Sequence, residues 1–150
     1  MSGDPRALYR DVVLDHSKHP RNFRALSEPV RIAEGYNPLC GDQLTVYVAL
    51  SDGVLSQVAF QGVGCALCLA SASLMTERLR GRSRGEAAEV FEAFRALVTT
   101  GSRAPSAVDL GELTVFAGAH AFPSRMKCVL LAWQALQAAV EGGAASVSTE

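Results

Sequence analysis

The sequence predicts an α+β fold in which helices cover one face of a small antiparallel sheet. Residues 43–62 alternate apolar and polar side chains on both sides of a Ser-Asp-Gly turn, which indicates a β-hairpin. Before and after this hairpin, apolar residues recur at helical spacing. The chain has 150 residues, 49% of them hydrophobic, so we expect one domain, residues 1–150, around one core.

The elements of the first half follow in order along the chain. The first predicted helix begins at Pro5, with Asp4 as its N-cap, and ends before Pro20. An extended segment near residues 30–36 precedes the hairpin. After the hairpin we expect a helix over about residues 65–80, whose small side chains allow close packing on the sheet.

Two more helices are predicted in the second half. One covers about residues 86–100, and the other begins at Pro123 and ends near Gly142. Between them, residues 99–111 are rich in Gly, Ser and Pro and are typical of a loop. The last residues, about 143–150, are small or polar, which predicts a disordered tail.

Net charge and the composition of the N-terminus restrict the classes of function that this protein can have. The formal net charge is −1, from 14 basic and 15 acidic residues, so nothing indicates nucleic-acid or membrane binding. The N-terminus lacks the cationic start and apolar run of a signal peptide. We therefore expect a cytoplasmic protein, in which separated cysteines are metal ligands or nucleophiles more often than disulfides.

Three of the four cysteines fall at the ends of predicted elements. Cys40 lies in a Pro/Gly turn, Cys65 lies where a strand gives way to a helix, and Cys128 lies in the early turns of the last helix. Asp42 can reach the same edge of the sheet as Cys40. Three thiolates and a carboxylate would suit zinc or iron. The alternative is that the cysteines are small core residues, since free cysteines are often buried.

The fourth cysteine, Cys68, completes a Cys-x-x-Cys pair with Cys65. It lies among apolar residues inside the predicted helix, which favours packing over ligation. A thioredoxin-like redox pair is disfavoured because the order of elements differs. His16 and His19 are interpreted as solvated surface residues rather than ligands.

Two basic residues stand close to Cys128. Arg125 and Lys127 could favour a thiolate or persulfide there by their charge, or could belong to a solvated helix start.

Four separated motifs give the chain a family resemblance. They read LYRDVVLDHSKHPRN, GYNPLCGD, GVGCALCLASASLMTE and FPSRMKCVLLAW. Together they resemble the NifU N-terminal/IscU family of iron–sulfur cluster assembly proteins, over about Leu8 to Ala138, and its SufU branch most. Cys65 and Cys128 are 63 residues apart (128 − 65), consistent with the insertion of that branch. Lys127 stands where IscU proteins carry a histidine.

The resemblance implies a three-stranded antiparallel sheet with helices on one face. It also implies that the metal ligands are Cys40, Asp42, Cys65 and Cys128, and that Cys40 accepts persulfide sulfur from a SufS-type cysteine desulfurase. Cys68 stands where the family usually has serine or another small residue, which leaves it as a packing residue or a spare sulfur ligand.

Two functions follow from this resemblance. One is a zinc-dependent sulfurtransferase that acts with the desulfurase, and the other is a scaffold that assembles a [2Fe–2S] cluster on the same ligands. A downstream scaffold or apoproteins would receive the sulfur or cluster.

Overall fold

The computed structural model describes residues 5–27, 30–38, 40–101, 108–142 and 145–148. Within these ranges, helices and strands follow one another in the predicted order, with one addition before the last helix and one after it. The elements are α1 (Pro5–Lys18), β1 (Arg31–Asn37), β2 (Asp42–Ser51), β3 (Val54–Val63), α2 (Ala66–Leu79), α3 (Arg84–Thr100), a 3-10 helix (Gly111–Ala121), α4 (Pro123–Val140) and β4 (Ala145–Ser148).

The three main strands form an antiparallel sheet, as predicted. β2 is central and pairs antiparallel with β1 on one side and β3 on the other. The β2–β3 turn contains Asp52 at φ 51° and Gly53 at φ 77°. Two successive positive φ angles are the geometry that suits the right-handed twist of a tight hairpin. The predicted hairpin is therefore confirmed.

A fourth strand extends the sheet at its β1 edge. Ala145–Ser148 pairs parallel with β1, in the register Ala33 to Ala145. The prediction of a disordered tail is thus wrong for these four residues, and residues 143–144 and 149–150 lie outside the described ranges. Four small and polar residues carry little strand signal of their own. What favours their pairing is the open row of backbone groups along β1.

Helices cover one face of the sheet, as predicted. The inward side chains of the central strand, Leu44, Val46 and Val48, are fully buried. On the opposite face, Ile32 and Tyr36 of β1 are 40% and 45% exposed. α4 contacts β1 and β2, and α2 contacts β3, while α1 packs on α2. The core therefore lies between the sheet and these helices.

α2 and α4 are joined by a buried hydrogen-bond chain. The Ser71 hydroxyl donates to the Val129 carbonyl at 2.6 Å, and the Trp133 indole N–H donates to Ser71 Oγ at 3.1 Å. Trp133 also stacks on Phe94 of α3, with ring centroids 4.6 Å apart. These contacts fix the two helices that begin close to Cys65 and Cys128.

The segment between α3 and α4 differs from the prediction. α3 ends at Thr100, as predicted for the helix, so the two residues that the predicted loop shared with that helix are helical, and Gly101 ends the helix at φ 78°. Residues 108–110 have no regular structure, as expected for a loop, and 102–107 lie outside the described ranges. Residues 111–121 then form a 3-10 helix that the sequence analysis did not predict.

Two smaller points complete the fold. The predicted N-cap, Asp4, lies outside the described residues. Within the described part of the chain, no helix is both long and apolar enough to cross a membrane.

Candidate metal centre

The turn between β1 and β2 presents Cys40 above two buried polar side chains. Asn37 ends β1 and pairs with Asp42, the first residue of β2, and both are fully buried. The Cys40 N–H donates to the Asn37 carbonyl at 3.3 Å, and Gly41 adopts φ +72°. Cys40 itself is exposed. The turn therefore holds one accessible thiol next to a buried carboxylate and a buried amide.

Asp42 connects this turn to the start of α2. Its Oδ1 accepts a hydrogen bond from the Cys65 N–H at 2.8 Å, and its Oδ2 lies 3.9 Å from Cys65 Sγ. Cys65 is the N-cap residue of α2. The carboxylate thus lies where the unpaired N–H groups and the dipole of a helix N-terminus favour negative charge.

Cys128 reaches the same point from α4. Its Sγ lies 3.4 Å from Cys40 Sγ, and the Asn37 side-chain amide donates to it at 3.5 Å. Unlike Cys40, this thiol is buried. Residues that are far apart in the sequence therefore meet at one edge of the sheet.

The donor atoms suit a tetrahedral metal ion. The ligand atoms of Cys40, Asp42 and Cys128 all lie within 4.8 Å of one another, and Cys65 adjoins them through Asp42. Two sulfurs bound to one zinc at about 2.3 Å lie about 3.8 Å apart in tetrahedral geometry. The observed distance of 3.4 Å between Cys40 Sγ and Cys128 Sγ is close to that. The assignment of these four residues as ligands stays a prediction.

The electrostatic surroundings of the cluster also suit a bound cation. The pKa of Cys128 is raised above its ordinary value, chiefly by burial and then by hydrogen bonds with Asp42 and Cys40 and by the charge and hydrogen bond of Cys65. A divalent ion would reverse this balance, because it stabilises thiolates and replaces their protons. Binding of a metal should therefore release protons from this cluster.

Cys68 lies behind the cluster, in the core. It is fully buried, and burial raises the pKa of its thiol well above the ordinary value, with smaller contributions from the charges of Asp42, Cys65 and Cys40. A buried thiol with a raised pKa is inert. These observations favour the packing interpretation of Cys68.

Arg125 and Lys127 lie in the first turns of α4, close to Cys128 in the sequence. The Arg125 guanidinium lies over the Phe122 ring, 4.2 Å from its centroid, and is exposed. The pKa of Tyr9 in α1 is raised by burial, lowered by the charge of Arg125 and raised by Cys65. Lys127 is half-buried. Their predicted influence on the reacting sulfur stays a prediction.

An apolar cleft lies next to these residues. It has a volume of about 630 Å³ and is lined by Leu8, Tyr9, Val115, Phe122 and Arg125, among others. Tyr9, which belongs to this lining, lies near enough to Arg125 and Cys65 for their charges to shift its pKa.

The interpretation of His16 as a surface residue is wrong. His16 is 2% exposed, and its Nδ1 lies 2.7 Å from Ser73 Oγ in α2. The spacing of His16 and His19 did not reveal that α1 turns the first of them toward α2. His19 is exposed, as expected.

Asn37 is the residue of this site that the sequence analysis missed. It stands in the same NPLCGD segment as Cys40, but asparagine before proline is also typical of turns. The only signal was that it lies five residues before Asp42, at the other end of the tight connection.

The fold and the site together define a small α+β protein whose thiols and carboxylate form a candidate metal centre at one edge of the sheet. Residues 8–145 match the family described as NifU-like N terminal domain. The chain therefore belongs to the NifU-like N-terminal domain family.

Individual relatives agree with this assignment. The chain is 34% identical to the zinc-dependent sulfurtransferase SufU of Bacillus subtilis, over 91% of this chain and 93% of that protein. It is 38% identical to the iron-sulfur cluster assembly scaffold protein IscU of Streptococcus pyogenes, over 91% of this chain and 85% of that one. Among solved structures, a putative iron-sulfur cluster assembly scaffold protein for the SUF system from Fervidobacterium islandicum superposes with a TM-score of 0.80. That protein is 27% identical, and the match covers 90% of this chain and 98% of that one.

Proposed function

We propose that this chain is an iron–sulfur cluster assembly protein of SufU type, which takes sulfur from a cysteine desulfurase onto Cys40. The observation that carries the proposal is the meeting of an exposed thiol with a buried one, 3.4 Å apart, beside a buried carboxylate. The ligands would be Cys40, Asp42, Cys65 and Cys128, and the metal would be zinc. When bound, zinc keeps thiolates deprotonated and undergoes no redox change.

Sulfur transfer would follow the chemistry of thiol exchange. The Cys40 thiolate attacks the outer sulfur of the desulfurase persulfide, and a new S–S bond forms on Cys40 as the old one breaks. The desulfurase cysteine leaves as a thiolate. One persulfide replaces another, so the step needs no oxidant or reductant. Cys40 is suited to this role because it is exposed in a turn, whereas Cys128 is buried.

The choice between zinc-dependent transfer and cluster assembly rests on two features. Lys127 stands in place of the histidine of IscU proteins, and the stretch between Cys65 and Cys128 is long. Both favour the first function, and so does the similarity to the protein named zinc-dependent sulfurtransferase SufU. The second candidate, an IscU-like scaffold for a [2Fe–2S] cluster, is supported by the similarity to the Streptococcus protein.

The proposed partners follow from this chemistry. A SufS-type desulfurase would supply the sulfur, and a downstream scaffold or apoprotein would receive it. Free thiols at the site require a reducing compartment, so the proposed location is the cytoplasm.

The location of the transferred sulfur tests the proposal. We expect incubation with a SufS-type desulfurase and cysteine to add sulfur mass to the peptide that contains Cys40. Mass spectrometry of the alkylated, digested protein measures it. Cys68→Ser is the matched control and should still carry sulfur on Cys40, whereas Cys40→Ser should carry none.

Two results would contradict this proposal. Sulfur found mainly on Cys68 would show that Cys68, and not Cys40, accepts the transferred sulfur. Anaerobically purified protein that contains a [2Fe–2S] cluster and no zinc, and that does not stimulate the desulfurase, would favour the scaffold function instead.

A further inference from the structure

We propose that Asn37 is a positioning residue of the metal centre: its side-chain amide holds Cys128 Sγ as the fixed sulfur ligand while Cys40 leaves and returns. This inference rests on the proposed function, because it takes Cys128 to bind the metal as a thiolate. It goes further by giving different roles to two sulfurs that lie only 3.4 Å apart.

The backbone holds Asn37 firmly in place. It is the last residue of β1, and it pairs with Asp42 across the β1–β2 connection. Neither side chain is exposed, and α4 packs against both strands. The amide therefore lies between the sheet and α4, where it cannot turn toward solvent without separating the two.

The contact with Cys128 has the polarity that a bound thiolate needs. Asn37 Nδ2 lies 3.5 Å from Cys128 Sγ, and an amide nitrogen is only a donor. A donor facing a negative sulfur makes a charge-assisted hydrogen bond, which stabilises that sulfur in one orientation. Groups that hold metal ligands in this way commonly contribute about 10- to 100-fold to metal affinity.

The two sulfurs differ in their surroundings. Cys128 is buried in α4 with an amide directed at its sulfur, while Cys40 is exposed in a turn that includes Gly41 at φ +72°. Movement of Cys40 requires only a change in the turn. Movement of Cys128 would require α4 to shift or its hydrogen bond to break. The structure therefore assigns the stationary role to Cys128.

Asn37→Asp tests the inference with little change of volume. It places a carboxylate, which repels a thiolate, where the amide donates. We expect a competing chelator to remove zinc from the folded full-length variant about 10 to 100 times more readily than from the wild type. The sulfur-to-metal charge-transfer band of the Co²⁺-loaded protein should also shift, because that band reports on the bound sulfur and not on overall stability.

Asn22→Asp is the matched control. The Asn22 amide donates to Thr76 Oγ1 at 2.9 Å, and Thr76 lies roughly 16 Å along α2 from Cys65, at 1.5 Å per residue. This control should keep wild-type zinc removal and the wild-type cobalt band. If Asn37→Asp does not fold, Asn37→Ala decides by the same two readouts, because it removes the donor without adding charge.

The outcomes separate this inference from the function on which it rests. Wild-type zinc removal and an unchanged cobalt band in the folded Asn37 variant would overturn the role of Asn37 and leave the proposed metal centre intact. Equal changes in the Asn22 control would also overturn it, since the effect would then not act through Cys128. A wild-type protein that binds neither zinc nor Co²⁺ would overturn both.

Discussion

Asp42 is the most deeply buried of the four proposed ligands. Its carboxylate is fully buried, and it holds the Cys65 N–H at 2.8 Å. Gly64 lies directly beside it: a Cβ added there would be 3.1 Å from Asp42 Oδ1 and 3.3 Å from Cys68 Sγ. The position of the carboxylate therefore depends on the absence of a side chain at residue 64.

We expect Gly64→Ala to weaken zinc binding about 10- to 100-fold, as displaced supporting groups commonly do. The added methyl group would push against Asp42 Oδ1 on one side and against buried Cys68 on the other. Competition with a chromophoric chelator measures the affinity. Gly85→Ala is the control, because the nearest atom to a Cβ there is Ser83 Oγ at 4.0 Å. Unchanged zinc affinity in Gly64→Ala would show that Asp42 is not held in this way.

Single residues show where sequence reasoning is strong and where it stops. The turn at Cys40 and the strand-to-helix junction at Cys65 are visible in the sequence, because Gly and Pro mark them. The burial of Asn37 is not visible, because it depends on how α4 packs on the sheet after folding, and the only sequence signal for the burial of His16 is its helical spacing from Val12 and Val13. Polar residues near a turn or a helix end are usually exposed, and only tertiary contacts reverse that.

At the level of elements, the geometry of the centre depends on how α2 and α4 pack together. Ser71 joins the two helices: it donates to the Val129 carbonyl and accepts from the Trp133 indole. Val129 directly follows Cys128 in the chain. A change at Ser71 should therefore alter the geometry of the metal centre as well as the packing of the core.

Ser71→Ala should lower the free energy of unfolding by about 1 to 3 kcal/mol, because it leaves the Trp133 N–H and the Val129 carbonyl without this partner inside the protein. We also expect weaker zinc binding. Urea unfolding of the metal-free protein measures the first effect, and chelator competition measures the second. Ser56→Ala is the control, since the Ser56 hydroxyl bonds to the Ala49 carbonyl at an exposed position. A loss no larger than in the control would refute the role of Ser71.

The elements that the sequence predicted are those with a regular apolar pattern. The hairpin, α2, α3 and α4 have such patterns and were found with small shifts at their ends. The 3-10 helix at 111–121 has apolar residues without the spacing of an α-helix, and β4 has only four residues. β4 forms because β1 offers an open edge, which is a property of the folded sheet and not of the tail.

For the whole molecule, the burial of His16 makes the free energy of unfolding depend on pH. It is buried against Ser73, and its pKa is lowered by burial first and then by the charge of Arg21. The negative charges of Glu77, Glu112 and Asp15 oppose this shift. The folded protein therefore binds a proton at His16 less readily than the unfolded chain, whose histidine has a pKa of about 6.5.

We expect the contribution of His16 to stability to be complete above about pH 6.5 and to be lost as the pH falls through its lowered pKa, because only the unfolded chain gains the proton in that range. His16→Gln should remove this part of the pH dependence, while His19→Gln, at an exposed position, should retain it. Urea unfolding of metal-free protein between about pH 5 and 7 measures it. Equal slopes in wild type and His16→Gln would contradict the prediction.

The proposed function requires that Cys40, Asp42, Cys65 and Cys128 hold one zinc ion while Cys68 only packs in the core. Metal analysis of anaerobically purified single cysteine variants tests it most directly. We expect one zinc per chain in the wild type and in Cys68→Ser, and a loss of both zinc and thermal stability in Cys65→Ser and Cys128→Ser, because metal binding to the folded site stabilises the fold. Zinc retained in Cys128→Ser and lost in Cys68→Ser would contradict it.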